Sequence, residues 1–421
     1  MPAPNFENAC IKRRLNLGNG VSSRLFPPRH SAKTQTWHNK GRQTTSYLTI
    51  NGRVKFIRSV FWNRQHGTVI PLDDWLGLGE GRYSAGVREM CCREASSSSF
   101  RIAAEDLVRI GQIGVSHEMV RQIVETEGQR VLLEQKHKRL SPGWTAENCR
   151  AKSDDPSCVI TGADGVKVPL VTEAEKSKRR KNRGAKPRGQ SRRRYIRKGS
   201  DQRYKEFKIL AFYDPSHQRQ YAVGTSGDHQ VLGRMMRRHA AMIKLDKADV
   251  AYSVSDGAQW IRHQYACQLP MLKANILDYY HLRDHVIKAA CVVFGEGSAQ
   301  AVSWRQQLMG CVLEQGPIEL LDRIGLLLRK VRSGTKRRAL QSLREYIGKR
   351  LTMLDYPSFK ASGYEIGSGP TESFCKTLTC RLKGSGMRWD KPNAEGLMAL
   401  ASVRSSGLWR QYWNAQKKVP A

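Results

Sequence analysis

Apolar and polar positions change period along this chain, and the changes mark its elements. Residues 45–62, TSYLTINGRVKFIRSVFW, carry two β-rich runs about Asn51-Gly52, a hairpin signal, and this small β module closes near Pro71-Leu72-Asp73. From 83 to 130 the period is helical. Ser97 to Ser99 precede FRIAAEDLVRI, with Ile102, Ala103, Leu107 and Ile110 at helix spacing. After a break at Gly111 to Gly114, Ser116 stands where it caps a second helix, VSHEMVRQIVETEG. Helix, glycine turn and capped helix have the shape of a helix-turn-helix, and equally of an αα-hairpin in a bundle.

Residues 157–171 predict an extended segment interrupted at Ala163-Asp164-Gly165. Strands over 206–214 and 219–227 follow, then a helix from Val231 to Leu245 carrying Arg234, Arg237 and Arg238. A strand over 248–258, a helix from about Gln259, a strand over 272–281 and a further helix complete the alternation. Residues 298–350 are helical throughout, and the Gly-rich EIGSGP opens a last helical region. Three antiparallel strands, a helix, then two more strands alternating with helices is the order of an RNase H-like mixed-sheet core, an α/β fold. The expected organisation is a flexible basic arm (1–44), a small β module without zinc ligands (45–82) and a helical DNA-binding region (83–150). The core follows (157–297), interrupted by a helical insertion (298–355) and completed by residues 356–421.

Charge narrows the function. The 421 residues hold 72 Lys and Arg against 37 acidic residues, a formal net charge of +35. Such an excess calls for a polyanionic partner, nucleic acid first. No apolar run reaches the roughly 18–20 residues of a spanning helix, and the first residues lack the apolar region of a signal peptide. Ten Cys without a C-x-x-C pair fit reduced thiols in a cytoplasm. The strongest bias lies between Lys176 and Lys198, with 13 Lys or Arg in 23 residues. It is expected to be a mobile basic loop gripping phosphates through Arg179, Arg180, Lys181, Arg192, Arg193 and Arg194.

The acidic residues carry the chemistry. Phosphodiester cleavage and transfer are served by divalent cations about 3.5–4 Å apart, held by a few carboxylates distant in sequence. Asp164 in GADGV and Asp256 in SVSDGA fall at expected strand ends, each before a Gly that permits close approach; alone, either reads first as an Asp-Gly turn, and the two together in a basic chain favour chemistry. Glu372 follows Pro370 in the first turn of a helix, where the dipole favours a Glu without any catalytic role. Asp278 and His281 form an Asp-x-x-His at a strand-to-helix junction, with Asp278 expected to orient the His281 ring.

The segments DGVKVPLVTEAEK, SDGAQWI, ILDYYH and EIGSGPTESFCKTLTCRLKGSGMRW resemble the ISKra-type insertion-sequence transposases, which belong with the Mutator-like DDE enzymes. The resemblance spans about residues 45 to 413. It implies a catalytic and metal-binding triad of Asp164, Asp256 and Glu372, with Asp278 and His281 supporting it. It further implies that Arg381 to Trp389 lies near the active site or grips DNA, through Arg381, Lys383, Arg388 and Trp389; a Trp-anchored core turn is the structural alternative. Ser116 and Arg121 would read DNA from the second helix. The chain departs from the family where FWNRQHGTVIPLDD has no Cys pair, so no zinc is expected. Cys375 and Cys380 are expected to be packed thiols.

The function expected is a Mg²⁺-dependent transposase, with Mn²⁺ able to substitute, acting on its element's terminal inverted repeats and on target DNA as a homo-oligomer at the nucleoid. The alternatives are an RNase H-like nuclease without strand transfer and a non-catalytic repressor derived from such an element.

Overall fold

The computed structural model describes residues 37–76, 81–150, 152, 154–184, 204–384, 387 and 389–417. They cluster into two compact units, one of residues up to Leu140 together with the segment from Leu408, the other from Ser141 to Gly407.

The first unit opens with an antiparallel sheet of β1 (His38–Thr49), β2 (Gly52–Asn63) and β3 (Gly67–Val69) in that order. The hairpin turns at Asn51 with Thr49 paired to Gly52, whose φ of +102° suits glycine. The arm expected through residue 44 ends earlier, because β1 is already a strand at His38, opposite Trp62. Its first half is polar and exposed, so no apolar alternation announced it. After α1 (Pro71–Leu76) come α2 (Ala85–Ala95), α3 (Phe100–Arg109) and α4 (His117–Lys136). Ser84, Ser99 and Ser116 each cap a helix by accepting a hydrogen bond from a first-turn amide. Val87, Ala103, Leu107, Val120, Val124 and Val131 supply the buried faces. The chain-terminal helix Trp409–Lys417 belongs to this unit, and its Tyr412 hydroxyl donates to buried Glu127 at 2.7 Å.

The second unit is built on a five-stranded mixed sheet. β4 (Cys158–Val168) leads to α5 (Glu173–Gly184), then β5 (Lys205–Tyr213), β6 (Gln220–Thr225), α6 (His229–Met242), β7 (Val250–Ser255), α7 (Gln259–Gln268), β8 (Ala274–Leu277) and α8 (Tyr279–Phe294). Strand order is β6-β5-β4-β7-β8; β5 runs antiparallel to β4 and β6, while β4, β7 and β8 are parallel. Phe207, Ile209 and Leu210 of β5 are buried, as a central strand covered on both faces requires. Helices α9 (Ala299–Glu314), α10 (Pro317–Lys330), α11 (Gly334–Gly348) and α12 (Tyr356–Ala361) follow, then α13 (Gly369–Lys383) and α14 (Lys391–Ser405).

Three local expectations change. The first strand is continuous through Ala163-Asp164-Gly165, because every residue there pairs with β5, Asp164 with Ile209. β8 stops at Leu277 rather than 281, since Asp278 turns the chain into α8 as its cap. The basic segment, expected to be a loop from Lys176, is helical from Glu173 to Gly184. Thr172 accepts the Glu175 amide, Glu173 and Glu175 sit in the favourable first turn, and Lys and Arg are good helix formers.

Candidate active site

Strand register brings the acidic residues together. β4 and β7 pair in parallel through Thr161 with Ser253, so continuing three residues along each chain brings Asp164 level with Asp256. β7 and β8 pair through Ser255 with Leu277, and one further residue brings Asp256 level with Asp278. The carboxyl ends of adjacent parallel strands are where open α/β sheets bind ligands. Asp256 keeps its expected place just past a strand, and its Oδ1 accepts the Ala258 amide at 2.8 Å. Asp164 does not: it lies inside β4, and accepts the Gly165 amide at 2.6 Å. Burial pushes the Asp164 carboxyl above its ordinary range, and the Asp256 charge adds to the rise.

Helix α13 lies along β4 in matched spacing. Thr371 meets Gly162 and Cys375 meets Asp164, two helix positions four apart over two strand positions two apart. A Cβ on Gly162 would stand 1.8 Å from Thr371 Oγ1, so glycine is what lets the helix approach. The Cys375 thiol donates to Asp164 Oδ2 at 3.5 Å. Burial pushes that thiol well up, aided by the Asp164 and Glu372 carboxylates. Glu372 occupies the first turn of α13, as expected, with its side chain 43% exposed. Lys376 Nζ lies 3.9 Å from its Oε2.

His281 faces Glu372, with Nε2 4.0 Å from Oε1. The role expected of Asp278 is corrected. Its Oδ1 accepts the His281 backbone amide at 2.9 Å, and its Oδ2 accepts the Ser368 amide, so it holds no imidazole. Buried Asp278 instead ties the start of α8 to the residue that precedes α13, fixing His281 and Glu372 relative to one another.

Arg350, just past α11, was not singled out by the sequence. Its Nε donates to the Gly257 carbonyl at 3.1 Å, beside Asp256, and its guanidinium stacks on Tyr346 at 3.9 Å. Gly257 has φ +66°, and a Cβ there would meet Arg350 Nε at 2.8 Å. Asp164 and Asp256 thus stand level on adjacent strands, Cys375 meets Asp164, and Glu372, three residues before Cys375 on α13, faces His281. Among the described residues no group of three or more His, Cys, Asp or Glu side chains is placed so that it could hold a metal ion.

The expected DNA contacts fare unevenly. Arg381 and Trp389 are buried, the Trp389 Nε1 donates to the Arg381 carbonyl at 3.1 Å, and the guanidinium lies over the indole. Val171 donates to the Trp389 carbonyl, so the pair forms a core turn rather than an exposed grip. Lys383 is exposed. Arg121 is held between Glu118 and Glu125, and Ser116 is engaged as a cap. In α5, Lys181 is exposed, Lys176 pairs with Glu173 and Asp390, and Arg179 and Arg180 lie on the helix. Arg192, Arg193, Arg194 and Arg388 lie outside the described residues. Cys375 is buried as expected, whereas Cys380 is exposed because it falls on the solvent side of α13.

Residues 29–152 match the model of an uncharacterised protein family (UPF0236). No curated protein matches the chain. Among solved structures it is similar to the Drosophila P element transposase strand transfer complex, at 10% identity over 73% of this chain and 96% of that one. The TM-score is 0.29, and a likeness of that size carries no argument about fold or activity. Among the described residues no helix is long and apolar enough to cross a membrane.

Proposed function

We propose that the chain is a DNA transposase with an RNase H-like core, using Asp164, Asp256 and Glu372 as a DDE triad. The observation that carries this is the strand register that brings Asp164 of β4 level with Asp256 past β7, with α13, which carries Glu372, lying on β4 through Cys375 and Asp164. The sheet order supports the fold assignment, with β4 central, β5 antiparallel to it and β7 parallel. The charge of +35 supports a nucleic-acid substrate. The motif resemblance supports strand transfer over simple cleavage.

The donors suit Mg²⁺. They are hard oxygens, and the crowding of Asp256 on Asp164 is a charge conflict that a divalent cation would relieve. Mg²⁺ takes one or two carboxylates with water and substrate phosphate, so it does not require a closed protein cage. When bound, it would activate the attacking oxygen and stabilise the leaving one. The chain's own residues set the geometry: Gly162 admits α13, Asp278 fixes Ser368 and His281, and Cys375 steadies one oxygen of Asp164. The first unit, with α3 and α4 as a helix-turn-helix, would read the element's ends.

The deciding experiment incubates the purified chain with Mg²⁺ and DNA carrying the sequences that flank its coding region. Joined products from a pre-cut end and a supercoiled target support the transposase; cleavage without joining supports a nuclease, and binding without cleavage a repressor.

A further inference from the structure

We propose that the exposed face of the α10–α11 hairpin is a binding surface for the phosphate backbone of duplex DNA, leading to the carboxylate site at Arg350. The inference rests on the nucleic-acid reading of the chain but not on the triad. Between Asp322 and Glu345 there are 22 residues with eight Lys or Arg and no Asp or Glu. Six of the eight fall in the ten residues from Arg329 to Arg338, at the hairpin's turn.

Helical faces usually answer such cations with carboxylates one turn away. Elsewhere this chain does so: Arg121 and Arg130 of α4 pair with Glu118, Glu125 and Glu127, and Arg323 of α10 pairs with Glu319 at 3.0 Å. The hairpin's turn does not. Arg329, Lys330, Arg332, Lys336 and Arg338 are exposed and have no ion-pair partner among the described residues. Arg337 serves the fold, donating to the Leu328 and Val331 carbonyls at 3.1 and 3.3 Å and closing the end of α10. Like charges packed this closely oppose folding unless an anion meets them.

Position supplies the second argument. Leu340, Leu343 and Ile347 bury one side of α11, leaving Arg338, Arg344 and Lys349 on exposed positions along its length. The helix then delivers Arg350 to the Gly257 carbonyl beside Asp256. Fifteen residues of helix span about 22 Å, the length of about six base pairs of duplex. A duplex engaged at the turn therefore reaches the carboxylates within one helical repeat, and a linear polyanion fits this track better than a compact acidic patch.

The test measures binding of the full chain to a short fluorescent duplex by anisotropy over a series of KCl concentrations. The variant joins Arg329→Gln, Lys330→Gln, Arg332→Gln, Lys336→Gln and Arg338→Gln, sparing Arg337. The expected result is binding at least about tenfold weaker, with the slope of log affinity against log salt reduced by about 4. Replacing the three arginines by lysine instead is expected to retain binding. Unchanged affinity and slope overturn the proposal, as does wild-type preference for single-stranded RNA over the duplex. Should the combined variant fold poorly, Arg332→Gln and Arg338→Gln singly must each lower the slope, and an unchanged slope in both overturns it. Mg²⁺-dependent cleavage, measured separately with Asp256→Asn, tests the triad, so a failed triad and a failed surface give different results.

Discussion

The thiol of Cys375 donates a hydrogen bond to Oδ2 of Asp164, across the seam between α13 and β4. The contact places a buried, neutral donor against a carboxyl that burial and Asp256 already push upward. A carboxyl raised in the folded state costs nothing below its unfolded pKa, because both states are then protonated. As pH rises, the unfolded chain releases the proton first, and stability falls until the folded carboxyl has ionised. At neutral pH without metal, the charge on Asp164 is therefore a liability. Asp164→Asn is expected to raise the melting temperature at neutral pH, with the gain vanishing as pH falls below the ordinary carboxylate range. Differential scanning calorimetry at several pH values checks this, and an unchanged or lowered melting temperature at neutral pH contradicts it.

If the three carboxylates act together, each is indispensable to cleavage and dispensable for binding. Asp164→Asn, Asp256→Asn and Glu372→Gln are each expected to abolish Mg²⁺-dependent cleavage while duplex affinity changes less than about threefold, since phosphate contacts made by cations supply the affinity. Gel assays of cleavage beside anisotropy measurements decide it. A variant that still cleaves removes its residue from the triad.

Much of the core was legible in the sequence, because β4 to α8 follow the plain alternation of apolar runs with capped helices. The triad candidates could be named because Asp256 ends a strand and Glu372 opens a helix behind Pro370. What escaped was set by tertiary partners. The register that levels Asp164 with Asp256 depends on pairing across about ninety intervening residues, which no local pattern encodes. Asp278 looked like a ring partner for His281, yet its second oxygen is claimed by Ser368, ninety residues away. The basic turn of α10 and α11 was hidden by good helix periodicity, although its acid-free run was there to be counted. Residues 38–44 were missed because an exposed polar strand lacks a hydrophobic face.

Gly162 makes the approach of α13 possible, so its replacement tests whether that approach matters. Gly162→Ala sets a methyl group of β4 against the buried Thr371 side chain of α13. The expected cost is about 1–3 kcal/mol from overpacking, with cleavage falling more steeply than stability accounts for, because Glu372 moves with the helix. Urea unfolding and cleavage rates of the same preparation separate the two effects. Pairing Gly162→Ala with Thr371→Ala is expected to recover much of the stability; absence of recovery shows that Thr371 is not what the methyl meets.

In the first unit, Glu127 is 1% exposed and is the shared acceptor of Arg88, Arg130 and the Tyr412 hydroxyl. One carboxylate thus joins α2, α4 and the chain-terminal helix. Removing it leaves two guanidinium groups facing a buried gap, and breaking such a buried network costs about 3–5 kcal/mol. Glu127→Ala is expected to lose that much in urea unfolding of this unit. Tyr412→Phe, which deletes one hydrogen bond to a charged acceptor and keeps the ring, is expected to cost about 1.5–3 kcal/mol. The double variant should lose clearly less than the sum, since both changes remove the same contact. Additive losses would show that the Tyr412 hydroxyl contributes independently of Glu127.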